Sequence, residues 1–156
     1  MIRKKNIRSF LIFIIIALLI DQISKLLIVN FLSPLDPPTE LIGSLLRLKL
    51  TYNPYGVFGI AFGPDILYYI LSLAGIVVLI YVGLSLQEKI GVIVFGFIVG
   101  GAIGNVIDRL RLEYVIDFID MGIGDVRWFT YNFADAFITV GAIFLLVREL
   151  FAKKSR

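Results

Sequence analysis

Four long apolar stretches separated by polar segments of two kinds give this chain its outline. Residues 10–20 are apolar, and the run resumes after Asp21 and reaches Phe31. That length predicts one helix over about residues 9–31, since ~20 residues rising ~1.5 Å each cross a ~30 Å hydrocarbon core. Residues 66–86 form a second run with no charge in it, and 90–110 and 132–151 form a third and a fourth. Residues 33–64 read differently. Pro34, Pro37 and Pro38 exclude a helix there. Leu46, Leu48, Leu50 and Tyr52 then alternate with Arg47, Lys49, Thr51 and Asn53, a period of two that predicts a half-buried strand. Asn53-Pro54-Tyr55-Gly56 is a turn signal, and residues 57–62 are expected to return as a second strand. Gln87-Glu88-Lys89 reads as a tight polar turn. Residues 111–131 are too charged and too broken by glycine to span. In that loop Met121 to Asp125 reads as a turn, and Trp128, Phe129 and Tyr131 as an interfacial aromatic belt. The expectation is a mainly α membrane protein of one domain. It has four transmembrane helices and a small sheet lying on the membrane surface.

Composition supports the membrane class. The chain is 59% hydrophobic with a mean hydropathy of +0.94, against roughly half apolar in soluble domains. It contains no His and no Cys. That removes Ser-His and Cys-His nucleophilic sites, imidazole–thiolate zinc sites and disulfides. Acid–base work then falls to Asp and Glu, or less readily to Lys or Tyr. The net charge of +3 is small and unevenly spread, so nucleic acid is not an expected partner. The basic start followed by an apolar run resembles a signal peptide, but the run continues past Asp21 without a small-residue cleavage site, so an uncleaved span is expected. Nine of the basic residues fall at the two termini and the 87–89 turn, beside Glu88 and Glu149 alone. The other six share the opposite side with ten acids. The nine-basic side should be cytoplasmic, with both termini inside.

The third stretch carries a stripe. Gly96, Gly100 and Gly104 recur every four residues with Asp108 next in the row, and Gly101, Asn105 and Arg109 form the adjacent row. Such stripes let another helix approach closely. Asn105, Asp108 and Arg109 gather at one helix end. Asp21 and Lys25 are four apart on the first helix, in the favourable order for an ion pair. That pair can fix helix packing, or Asp21-Gln22-Ile23-Ser24-Lys25 can face a site.

Asp108 ends the third stretch, Asp135 opens the fourth, and Asp117 lies between them among Val115, Ile116 and Phe118. All three therefore belong to one membrane face, where ionisable groups are functional candidates. Two close carboxylates do not both ionise easily, so one keeps its proton. The ionised one can then take a proton from an attacking water while the other protonates the leaving amine. This aspartic-protease chemistry needs no metal, thiol or imidazole. Two other readings stand beside it. Asn132 and Asp135 are spaced as N-cap and N3 of a helix, which is structural. The same carboxylates could also relay protons or ions.

Taken in order, several motifs resemble the lipoprotein signal peptidases (signal peptidase II), bacterial intramembrane aspartic peptidases. They are Asp21-Gln22-x-x-Lys25, Asn53 followed by Val57-Phe58-Gly59, and Gly104-Asn105-x-x-Asp108-Arg109. Val115-Ile116-Asp117-Phe118 and Tyr131-Asn132-x-Ala134-Asp135 complete the set. The resemblance covers nearly the whole chain. It implies four spanning helices, an extracytoplasmic sheet and a short loop helix. It implies that Asp117 and Asp135 are the catalytic pair. Asn53, Asn105, Arg109 and Asn132 would bind substrate or hold the pair, and Asp108, Asp21 and Lys25 would give structural support. The implied substrate is a prolipoprotein cut just before its diacylglyceryl-modified cysteine. No cofactor or metal is implied. The enzyme is expected as a monomer among the lipids of the bacterial cytoplasmic membrane, with its site toward the extracytoplasmic face. The alternative is a small proton-coupled transporter or channel. Tyr55 stands where the family usually has Gly, and Tyr131 where it usually has Phe.

Overall fold

A computed structural model describes residues 4–54 and 65–154. Four helices, α1 (Lys4–Phe31), α2 (Asp65–Ser85), α3 (Lys89–Leu112) and α4 (Phe133–Lys154), carry most of it. Four strands, β1 (Thr39–Ile42), β2 (Leu46–Asn53), β3 (Val115–Ile123) and β4 (Val126–Arg127), form an antiparallel sheet in that order. The fold is mostly helical with a small sheet. Asn6–Phe31 and Lys89–Leu112 are long and apolar enough to cross a membrane, with mean hydropathies of 2.4 and 2.3. The apolar part of α2, Tyr69–Ser85, is shorter than such a span, so the four predicted spans are met by two on length and composition among the described residues. The outward faces of α1, α2 and α4 are rich in exposed Leu, Ile, Val and Phe, among them Leu26, Val77, Ile143 and Phe151. So wide an apolar exterior fits contact with lipid rather than water.

α3 is the central helix, packed against the other three. Its two glycine rows explain how. A methyl group on Gly100 would lie 2.6 Å from the Ile14 carbonyl oxygen and 2.7 Å from the Ala17 Cβ, so α1 seats directly on the Gly96-Gly100-Gly104 row. On the adjacent row a methyl on Gly101 would lie 2.6 Å from the Ala134 carbonyl oxygen of α4. The predicted stripe thus serves two neighbours. Phe10, Ile76, Val92, Val99 and Val106 form the buried apolar core between α1, α2 and α3. At the far end from the sheet, Glu88 stands at the N-cap position of α3, where its side chain pairs with Arg148 of α4 instead of capping the helix.

The sheet departs from expectation in two ways. The predicted strand at 46–53 is β2, but its partners are β1 on one side and β3 on the other. The expected return strand at 57–62 and the Tyr55 turn lie outside the described residues. The sequence reads the segment 111–131 as a loop. Its described residues hold β3 and β4 instead. The reason is the composition of Val115 to Ile119, β-branched and aromatic around Asp117, which suits a pleated surface backed by β2. Glu113, with φ of 68°, takes the left-handed conformation that stops α3, and its N–H bonds the Arg109 carbonyl. The predicted turn at 121–125 shortens to Gly124-Asp125, where Gly124 has φ of 56°.

The packing of α3 is testable by contrasting two glycines. Gly100→Ala drives a methyl group into the Ile14 backbone and the Ala17 side chain and is expected to cost about 3 kcal/mol. Gly75→Ala meets nothing within 4 Å and should leave stability unchanged or slightly raised. Thermal melts of the two purified variants in detergent check this.

Candidate active site

β3 runs over the end of α3 and the start of α4, and this brings the predicted residues together. Asp117 sits opposite Thr51 of β2, with Asn53 two residues along on the same strand. On one face of an antiparallel pair such diagonal neighbours reach one another, and the Asn53 Nδ2 donates to Asp117 Oδ2 at 3.1 Å. Asn132 is the N-cap of α4: its Oδ1 accepts the Asp135 N–H at 2.9 Å. Its Nδ2 donates to Asp117 Oδ1 at 2.8 Å and to Asn105 Oδ1 at 3.1 Å. Asn105, on the glycine-bearing face of α3, donates from Nδ2 to Asp135 Oδ1 at 2.8 Å. The capping pattern and the carboxylate cluster were read as alternatives in the sequence. In the structure they are one arrangement, because the cap amide also reaches Asp117.

Asp108 does not join this pair. It faces Lys25 at 2.8 Å, takes a bond from Gln22 at 3.0 Å and accepts the Ile116 N–H at 3.3 Å. Lys25 is also 2.8 Å from Asp21, and the Asp21 carboxylate accepts the Ala134 N–H at 3.0 Å. The expected Asp21–Lys25 ion pair is therefore present and buried, and it extends to Asp108. Arg109 lies beside these groups along the same face of α3, with Nη1 3.4 Å from the Asn105 carbonyl. Two contributors were not singled out from sequence. Gln22 could have been suspected from its place inside the Asp21 motif. Tyr69, whose hydroxyl donates to the Arg109 carbonyl at 3.0 Å, comes from an apolar helix that carries no local signal.

A cavity of about 1010 Å³ opens beneath the sheet. Asn53, Asn105, Arg109, Asp117 and Asp135 line its polar end. Leu71, Gly75, Ile76 and Leu79 of α2, Ala102 of α3 and Ile138 to Val140 of α4 line its apolar remainder. Trp128 and Phe129 stand at its rim, more than half exposed, as an interfacial belt would. Arg47 and Arg127 clamp Asp120 and hold β2, β3 and β4 together above the cavity. Burial opposes the charge on Asp120, but the two guanidiniums outweigh it and hold its pKa below the usual value. Asp117 is the reverse case. Only 2% exposed, it is pushed up to about 7 by burial first and then by the Asp135 carboxylate, against hydrogen bonds from Asn53 and Asn132. A carboxyl group poised near neutrality can both take and give a proton.

These features define a helical, membrane-type protein with a carboxylate pair at the head of an apolar cavity. The chain belongs to the signal peptidase (SPase) II family, which matches residues 13–151. It is 35% identical over 164 aligned positions to a lipoprotein signal peptidase of Coxiella burnetii (strain RSA 493 / Nine Mile phase I), covering 100% of this chain and 99% of the relative. A lipoprotein signal peptidase of Francisella tularensis subsp. novicida (strain U112) is 38% identical over 120 residues, 72% of this chain and 74% of its own. Two solved structures, each described as a bacterial membrane enzyme, share the fold. One has a TM-score of 0.83 at 24% identity, covering 96% of this chain and 92% of that one. The other has a TM-score of 0.79 at 25% identity, covering 92% and 94%.

The raised pKa of Asp117 makes a prediction for stability. Folded, the group holds its proton up to about pH 7, and unfolded only to about its ordinary 3.8. Between those values the folded state binds more protons, so stability contributed by this group is present at low pH and lost as pH rises through 7. Asp120 has the opposite sign, and its contribution falls away only below this window. The melting temperature of Asp117→Asn relative to the unsubstituted protein should therefore rise between pH 4 and pH 8. A difference that stays flat would contradict the assignment.

A second prediction concerns the buried ions. Lys25→Met alone leaves two buried carboxylates without their cation and should cost about 3–5 kcal/mol, whereas Asp108→Asn leaves Lys25 paired with Asp21 and should cost less. The double substitution should cost less than the sum of the two. A double-mutant cycle of thermal melts measures the difference.

Proposed function

We propose that this chain removes signal peptides from prolipoproteins by aspartic hydrolysis, cutting just before the diacylglyceryl-modified cysteine, with Asp117 and Asp135 as the catalytic carboxylates. Family membership carries the reaction class, a peptidase acting on prolipoproteins. The observation that supports the mechanism is the bridging of Asp117 and Asp135 by the Asn132 and Asn105 amides at the cavity head. Two carboxyl groups so placed share protons. The ionised one draws a proton from water, which attacks the scissile carbonyl. The protonated one hydrogen-bonds the carbonyl oxygen, then gives its proton to the departing amine. Asn53, Asn105 and Asn132 keep the two carboxyls oriented as charge moves between them. Arg109, a cation beside the polar end, suits a carbonyl or headgroup oxygen of the substrate. The apolar remainder of the cavity suits the lipid and the hydrophobic signal segment. The alternative of a proton-coupled transporter is not supported by the family.

In this reading all four helices cross the bacterial cytoplasmic membrane and both termini are cytoplasmic. The distribution of basic residues supports that orientation. The site is assembled from one chain, so a monomer suffices.

Asp117→Asn and Asp135→Asn are each expected to cut turnover of a lipidated precursor by at least ~100-fold while the protein still folds. Near-normal turnover by either variant would sink the aspartic mechanism. Chelators should leave the rate unchanged. An unlipidated precursor should be cut far more slowly, because the lipid holds the peptide at the depth of the pair. Comparing both substrates in one detergent assay checks this.

A further inference from the structure

We infer that Lys25 is a positioning residue for the carboxylate pair: its ammonium sets the direction of the Asn105 amide, which keeps Asp135 Oδ1 an acceptor and confines that carboxyl's proton to Oδ2. The inference rests on Asp117 and Asp135 being the catalytic pair. An ammonium has three donors and no acceptor. The Lys25 Nζ donates to Asp21 Oδ2 at 2.8 Å and to Asn105 Oδ1 at 3.0 Å, and it ion-pairs with Asp108 Oδ2 at 2.8 Å. Whatever part of the Asn105 amide faces this donor must be its oxygen, because an NH₂ there would oppose N–H to N–H. The NH₂ must then point the other way, toward Asp135 Oδ1.

The same logic holds for Asn132. The Asp135 backbone N–H can only donate, so the Asn132 oxygen faces it and the Asn132 NH₂ faces Asp117 Oδ1. Two donor-only groups, one ammonium and one backbone N–H, thus orient both amides. The Asn105 amide presents an N–H to one oxygen of Asp135, and the Asn132 amide presents one to an oxygen of Asp117. An oxygen that accepts an N–H there does not direct its own proton to the same place. On Asp135 the exchangeable proton is left to Oδ2, while Asp117 accepts an amide N–H at each oxygen, from Asn132 and from Asn53.

Charge acts in the same direction as geometry. The groups around Lys25 are Asp21 on its own helix, Asp108 and Arg109 on α3, Asp117 on β3 and Asp135 on α4. α2 has no charged residue between Ile66 and Ser85. The ammonium and the oriented amides both favour the state in which one of the pair is ionised. Without them the pair should ionise at higher pH.

The test is the pH dependence of kcat on a lipidated precursor. Lys25→Met alone strands two buried carboxylates, so the main variant is Lys25→Met with Asp108→Asn. That removes one positive and one negative charge and leaves the buried charge balance as it was. A second variant, Asn105→Leu, removes the amide but keeps Lys25 with Asp21 and Asp108. In both, the rising limb of the kcat profile should move up by about one pH unit, with kcat down about tenfold on that limb and KM within about twofold. A lower rate with the limb unmoved in either variant would mean that Lys25 only holds the fold, and the inference would be wrong. Asp117→Asn and Asp135→Asn in the same assay separate the two ideas. If they retain turnover, the aspartic reading falls. If they are inactive and the limb has not moved, only the role of Lys25 falls.

Discussion

A charge taken out of water must be met inside the protein, and around Lys25 that requirement organises most of the structure. The ammonium is 2% exposed and answered by Asp21 and Asp108. The unpaired cost of such a charge is several kcal/mol, so the elements that supply its partners cannot drift. Asp21 also receives the first-turn N–H of Ala134, which ties α1 to α4. Asp108 receives the Ile116 N–H, which ties α3 to β3. One buried cation therefore sets three helices and one strand relative to each other. The carboxylate pair, two hydrogen bonds away at Asp135 and three at Asp117, is held by the same set of elements.

The glycine rows of α3 make this possible. Buried ion pairs need close approach, and a side chain at Gly104 would collide with the Asp21 carboxylate. The backbone of α4 comes equally near at Gly101. Small residues in such rows permit helices to meet at backbone distance without a large apolar seam. Packing and electrostatics are thus not separate contributions here. Removing the space would move the charges.

The pair sits where the helix ends meet the sheet, at the polar end of the cavity. Below it the walls are apolar, as a lipid-borne substrate requires. Above it the sheet carries its own ionic clamp, Arg47 and Arg127 on Asp120. Similar folds recur at 24% and 25% identity in bacterial membrane enzymes, so the arrangement of elements tolerates wide change in sequence.

Much of this was legible in the chain itself. Hydropathy located all four helices within a few residues, because apolar runs of that length have few alternatives. The alternation from Leu46 to Asn53 located β2. The absence of His and Cys narrowed the chemistry to carboxylates, and the spacing of Asp108, Asp117 and Asp135 put them at one face. Other features were out of reach. The strand character of Val115 to Ile123 depends on β2 being alongside, since a short apolar run with a central Asp has no period of its own. The distinction between Asp108 and its two neighbours also lay outside any local pattern. All three are aspartates near helix ends. Only tertiary structure decides that Asp108 meets Lys25 across two helices while Asp117 and Asp135 meet a pair of asparagine amides, because that depends on contacts between residues up to about a hundred positions apart. Local sequence sets which elements form, and long-range burial sets which charges they bring together.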